Sequence, residues 1–80
     1  MLKLRIVTPE RIAYNGEAES ILVPGTLGQF EVLTNHAPII SSLECGVVEY
    51  RNGDGKHQLP IIGGFIEVKQ NEVSLCVEVE

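Results

Sequence analysis

The sequence predicts a small all-β domain, a sandwich or a barrel. Apolar and polar residues alternate at both ends of the chain. Turn-forming residues recur about every 8–12 positions. No window carries apolar residues at helical spacing between caps.

Each element has its own signal. In Leu2-Lys3-Leu4-Arg5-Ile6 apolar residues take alternate positions, with bases between. Pro9 ends that strand, because proline lacks the ladder donor. Ile12-Ala13-Tyr14 is short, and Asn15-Gly16 reads as a two-residue hairpin turn. Glu17 to Val23 is the returning strand. Pro24 to Gly28 reads as a loop. Gln29 to Leu33 is extended, with Phe30 and Val32 on one face. Thr34 to Pro38 is irregular, since Pro38 steers Ala37 away from helix. Ile39 to Leu43 and Gly46 to Arg51 are strands, and Asn52 to Gly55 is a glycine-rich hairpin loop. Lys56 to Ile62 contains Pro60, which marks an edge or irregular strand. Gly63-Gly64 punctuates, Phe65 to Lys69 is a strand, and Gln70-Asn71 turns. In the last strand Val73, Leu75, Val77 and Val79 share one face, with Glu72, Ser74, Glu78 and Glu80 on the other.

The 80 residues make one domain, 1–80, with no linker, repeat or low-complexity segment. Hydrophobic residues are 44%, enough for a core, and with no Trp that core must rest on Val, Ile and Leu. Eleven acids against six bases give a net charge of −5. Nucleic acid and anionic lipid both call for a basic footprint, so both are unfavourable partners. Protein partners stay open. The start of the chain has no apolar signal core, and no apolar run approaches a membrane span. The expected chain is soluble and cytoplasmic.

No catalytic constellation emerges. Cys45 and Cys76 read as free, half-buried thiols, with a disulfide left open, and their spacing fits no metal site. Cys45 with His36 would need hydrogen-bond contact and an orienting third group to act as nucleophile and base. Gly25-x-x-Gly28 and Gly63-Gly64 lack the spacing and following helix of a phosphate loop. Glu17, Glu19, Glu31 and Glu67 mostly alternate with apolar residues and face water. Glu72, Glu78 and Glu80 read as charges that blunt a strand edge. Lys56, beside the Asn52–Gly55 loop, opens a second reading, a biotinyl- or lipoyl-type carrier. The simpler reading is a solvated turn lysine. His36 sits in the longest irregular stretch, where an imidazole can pin a loop or meet a partner.

Three blocks then resemble one family. Val23-Pro24-Gly25-Thr26-Leu27-Gly28-Gln29-Phe30-Glu31-Val32-Leu33 leads into Thr34-Asn35-His36-Ala37-Pro38-Ile39. Ile62-Gly63-Gly64-Phe65-Ile66-Glu67-Val68 precedes the turn at Asn71. The opening strand leads to Thr8-Pro9-Glu10 and Tyr14-Asn15-Gly16-Glu17. Together they resemble the epsilon subunit of F-type ATP synthase over nearly the whole chain. The resemblance implies a flattened antiparallel β-sandwich of about ten short strands. It implies a non-catalytic rotor part of the central stalk that couples rotation to proton-driven ATP synthesis. The implied partners are the gamma subunit and the polar loops of the membrane proteolipid ring, at the cytoplasmic face of the inner membrane. No cofactor, metal or direct membrane insertion is implied. Carried over by position, Thr8, His36 and Ser41 face gamma, and Thr26, Leu27, Gly28, Gln29 and Phe30 form the ring-facing loop. Departures from the family pattern are Asn35 in place of the usual glycine before the histidine, Glu31 in place of another glycine, and Gln29 in place of an acid. Family members usually continue into a helical hairpin that can inhibit ATP hydrolysis. The expectation from this chain is a domain without that hairpin.

Overall fold

The computed structural model describes residues 1–80 as nine strands with no helix. They are β1 (Leu2–Val7), β2 (Ile12–Ala18), β3 (Ser20–Gly25), β4 (Gly28–Leu33), β5 (Ile39–Leu43), β6 (Gly46–Asn52), β7 (Gly55–Ile61), β8 (Gly63–Lys69) and β9 (Glu72–Glu78). The sheet order is β2-β1-β9-β8-β5-β3-β6-β7, with β4 on β3. A single ladder pair, Gly25 with Leu43, joins β3 to β5. The curled sheet therefore folds into two faces. The larger is β2-β1-β9-β8-β5 and the smaller is β4-β3-β6-β7. The molecule measures 29 × 26 × 18 Å. Its short axis fits two sheets packed about 10 Å apart with outward side chains on each.

The core lies between the faces. Its fifteen buried apolar residues are all Val, Ile, Leu or Ala. Alternation places them there. In β1 every second residue from Leu2 to Ile6 is buried, and in β9 the same holds from Val73 to Val77. Burying one such side chain contributes roughly 1.5–3 kcal/mol.

Several expectations need correction. Asn15-Gly16 is not a hairpin turn. Both residues lie inside β2, opposite Arg5 and Leu4. The Tyr14 ring covers Gly16, and a Cβ there would sit 2.8 Å from Tyr14 Oη. The turn falls earlier, at Thr8–Arg11. There the Thr8 N–H donates to Arg11 O at 2.8 Å, and the Arg11 N–H donates to Thr8 Oγ1 at 3.2 Å. Glu17 to Val23 is two strands. Glu19 breaks them, donating its N–H to Arg51 O as the chain crosses from one face to the other. The β1–β9 pair is parallel, unlike the remaining pairs. Consequently β9 is an interior strand, and its acids cover an outer face rather than a strand edge. Pro60 does lie on an edge strand, β7. Both cysteines are free and exposed rather than half-buried. Cys76 alternates with buried Leu75 and Val77, so it points outward, and Cys45 sits in the short link from β5 to β6.

The candidate interaction surface

The registers sort the connections into two ends. One end holds the Thr8–Arg11 turn, the Thr26-Leu27 turn, the Glu44-Cys45 link, Ile62 and Val79. The opposite end holds Thr34–Pro38, Gly53-Asp54, Gln70-Asn71 and the Glu19 crossing.

The Thr26–Phe30 segment is tighter than a loop. Strand pairing runs up to Gly25 opposite Gly28, so only Thr26 and Leu27 form the turn. Gly28 closes it at φ 130°, a conformation that favours glycine. Thr26 anchors the turn to β5. Its N–H donates to Ser42 O at 3.1 Å, and the two hydroxyl oxygens lie 2.9 Å apart. That leaves Leu27 at the tip, fully exposed at 102%. Gln29 is exposed, while the Phe30 ring folds back over Gly25. Thus the segment presents one apolar tip with a neutral amide beside it.

Thr8, His36 and Ser41 do not cluster. Thr8 is buried at the Leu27 end, with its hydroxyl held by Arg11. Ser41 is half-buried in mid-β5, on the same side of the strand as Leu43, with its hydroxyl donating to Ser42 O. His36 is half-buried at the far end. Its Nδ1 lies 2.6 Å from Ala37 O. A carbonyl can only accept, so Nδ1 carries a proton, and in the neutral ring Nε2 is then the acceptor. The trio thus spans the molecule from end to end along β5.

Two apolar features lie beside these residues. Phe65, half exposed, stands on the outer face between Ser42 and Cys76, and with Val7, Thr8 and Pro9 it lines a shallow depression. Its signal was available in the sequence, since Phe65 shares its parity with Glu67 and Lys69. A wider groove of about 570 Å³ opens at the Leu27 end, lined in part by Val47, Pro60, Ile62 and Val79. No local pattern marks it, because its walls come from β6, β7 and the end of the chain.

The candidate chemistry resolves in the same frame. His36 and Cys45 stand at opposite ends, out of hydrogen-bond reach. Glu17, Glu19, Glu31 and Glu67 are all exposed. Lys56 is not at a hairpin tip. It lies in β7 opposite Arg51, beyond the Gly53-Asp54 turn, with Nζ 3.9 Å from Glu49 Oε2. An exposed pair like this contributes at most about 1 kcal/mol.

A cross-face cluster was invisible in the sequence. The Tyr14 and Tyr50 rings meet at 4.6 Å, and Tyr50 stacks on His57 at 5.0 Å. Asn52 ties them together. Its Nδ2 donates to Tyr14 Oη at 3.2 Å, and its Oδ1 lies 3.0 Å from His57 Nε2. Tyr14 Oη in turn donates to Glu17 O at 2.7 Å. Burial, and then the neighbouring Tyr14, push the Tyr50 hydroxyl above its ordinary 10.0.

Two packed sheet faces, a tethered apolar turn and scattered ionisable groups define a small all-β sandwich domain. Residues 1–79 match the family described as ATP synthase, Delta/Epsilon chain, beta-sandwich domain. This chain belongs to that family. It is 42% identical over 77 residues to the ATP synthase epsilon chain of Leptospira interrogans, covering 96% of this chain and 61% of the relative. It is 45% identical over 76 residues to the chloroplastic epsilon chain of Tupiella akineta, covering 95% of this chain and 58% of the relative. The chain therefore spans about three fifths of the length of these two relatives. The fold matches a chain in the mitochondrial ATP synthase of Euglena gracilis with a TM-score of 0.88 at 24% identity, over 95% of this chain and 49% of that one. It matches a chain in the central stalk and c-ring of the Tetrahymena thermophila enzyme with a TM-score of 0.84 at 14% identity, over 98% and 63%.

Proposed function

We propose that this domain is a non-catalytic rotor element of the central stalk of an F-type ATP synthase. It couples gamma-subunit rotation to the proteolipid ring during proton-driven ATP synthesis, peripheral to the cytoplasmic face of the inner membrane. The observation that carries this reading is the family match over residues 1–79. In this reading the Thr26–Phe30 turn rests on the polar loops of the ring. Leu27 supplies the apolar tip, and Gln29 supplies a neutral hydrogen bond where an acid would make a charged one. Thr8, His36 and Ser41 lie along the gamma-facing side. The mechanical demand is rigidity between two partner surfaces, and a close-packed sandwich transmits strain.

Crosslinking tests the ring contact. Cys45 and Cys76 are exposed, so the experiment uses Gln29→Cys in a Cys45→Ser/Cys76→Ser background. Adducts with ring subunits in the assembled enzyme are expected. Adducts with stator subunits alone would sink the assignment. His36→Ala and Ser41→Trp test the other side. Both should weaken co-purification with gamma, and wild-type affinity in both would remove the gamma patch.

A further inference from the structure

Five residues, Thr34 to Pro38, carry the chain from β4 on the smaller face to β5 on the larger. The hydrogen bonds that tie this crossing to another element both go to Asn71, in the β8–β9 turn. The Asn35 N–H donates to Asn71 Oδ1 at 2.6 Å, and Asn71 Nδ2 donates back to Asn35 Oδ1 at 3.2 Å. Asn71 is itself fixed, because its carbonyl accepts the Lys3 N–H at 2.8 Å. Both asparagines hold positive φ, 67° and 62°. Asparagine visits this region more readily than other side-chain-bearing residues. Glycine would take the same backbone conformation at either position, but it would bring no side chain to the pair. The two asparagines thus form a reciprocal clasp between positions 36 residues apart. The residue that follows Asn35 is His36, whose N–H donates to Leu33 O at 3.1 Å and whose Nε2 makes no hydrogen bond within the chain.

We infer that Asn71 is a positioning residue for His36. Its clasp on Asn35 fixes the turn that presents the Nε2 acceptor to an N–H or O–H donor on a protein partner. This rests on the reading that His36 faces gamma. Without the clasp, the crossing keeps its chain connections, the Leu33 bond and the His36–Ala37 contact, and the turn that carries the ring samples several positions. The ordering of that turn is then paid at binding.

The experiment measures gamma affinity for the full chain and for His36→Ala, Asn71→Gly and the double variant. Asn71→Gly keeps the positive φ and removes both side-chain bonds, so the β8–β9 turn survives. The expected result is an affinity loss of about 3- to 10-fold for Asn71→Gly, the scale of one net hydrogen bond. The double variant should bind no worse than His36→Ala alone. Amide exchange at His36 and Ala37 should accelerate in Asn71→Gly, while the β8–β9 ladder amides keep their wild-type rates. Asn35→Gly keeps the backbone bond and should show a smaller loss. An unchanged affinity in Asn71→Gly beside a weakened His36→Ala overturns the positioning role alone. An equal Asn71→Gly penalty with and without His36 also overturns it, because Asn71 would then touch gamma itself. Wild-type affinity in His36→Ala overturns the gamma reading and this inference together.

Discussion

The two ends of the sandwich are held shut by different means. At the Leu27 end the two faces meet backbone to backbone. Gly25 pairs with Leu43, the Glu44 N–H donates to Pro24 O at 2.9 Å, and the chain packs too tightly for an added Cβ at Gly25 or Gly46. At the Asn71 end the Glu19 N–H donates to Arg51 O as the chain crosses, and side chains supply the other ties. Asn35 bonds Asn71, and Asn52 joins Tyr14 to His57. The difference teaches where tolerance lies. A backbone closure fails on almost any substitution at its tight positions. A side-chain closure loses one bond at a time.

The largest expected effect breaks the backbone-closed end. Gly64 holds φ 147°, and a Cβ there would lie 2.2 Å from Cys76 O. Gly64→Ala should therefore cost about 3 kcal/mol or more, read as a lower thermal midpoint. A loss below about 1 kcal/mol would show that β8 and β9 can part to admit a methyl group.

Next comes the side-chain-closed end. Asn52→Ala removes the bond to Tyr14, the contact with His57 and the acceptor for the Asp54 N–H at 2.9 Å. The expected cost is about 1–2 kcal/mol, since most of this network is only partly buried. Amide exchange should quicken in β2 and at the β6–β7 turn and stay slow in β8 and β9. A uniform rise across all strands would contradict the two-ended picture.

A smaller effect appears in alkali. The folded state raises the Tyr50 hydroxyl, so the native chain holds that proton longer than the unfolded one. Stability from this group is complete below the ordinary value of 10.0 and falls as pH rises through the higher folded value. Urea midpoints across this range should decline, and Tyr50→Phe should flatten the decline. The smallest effect on stability belongs to Leu27→Asp. The residue is fully exposed, so its removal should change stability by less than about 0.5 kcal/mol. If the proposed ring contact holds, the same variant should lower coupling in the assembled enzyme, and unchanged coupling would remove Leu27 from that contact.

Much of this architecture is legible in local sequence. The alternation of β1 and β9, the edge position of Pro60 and the Val/Ile/Leu core all follow from side-chain parity and proline chemistry. Asn15-Gly16 carries a turn signal because turn propensity is local, while Tyr14 lying over Gly16 is a packing event. The parallel β1–β9 pair, the Asn35–Asn71 clasp and the tyrosine cluster join residues 36 or more apart, and no window of sequence holds both partners. Among the candidate residues, the exposed tip at Leu27 could be read from its glycine neighbours. The burial of Thr8 could not, because it depends on how the Thr8–Arg11 turn folds back.

The parallel pairing of β1 with β9 has a consequence for synthesis. Lys3 pairs with Glu72 and Val7 with Cys76, so β1 waits for β9, which is made after the seven strands between them. Until then β1 can pair with β2 and pack against the smaller face, yet its second edge has no ladder partner. At about 5–20 residues per second, that wait lasts on the order of 4–14 s before the partner strand has even been made. Contacts this distant in the chain also close slowly, because loop closure precedes any reward. A ribosome-stalled chain ending before Glu72 should therefore engage holdase chaperones through its N-terminal segment, and one with residues 72–80 fully extruded should not.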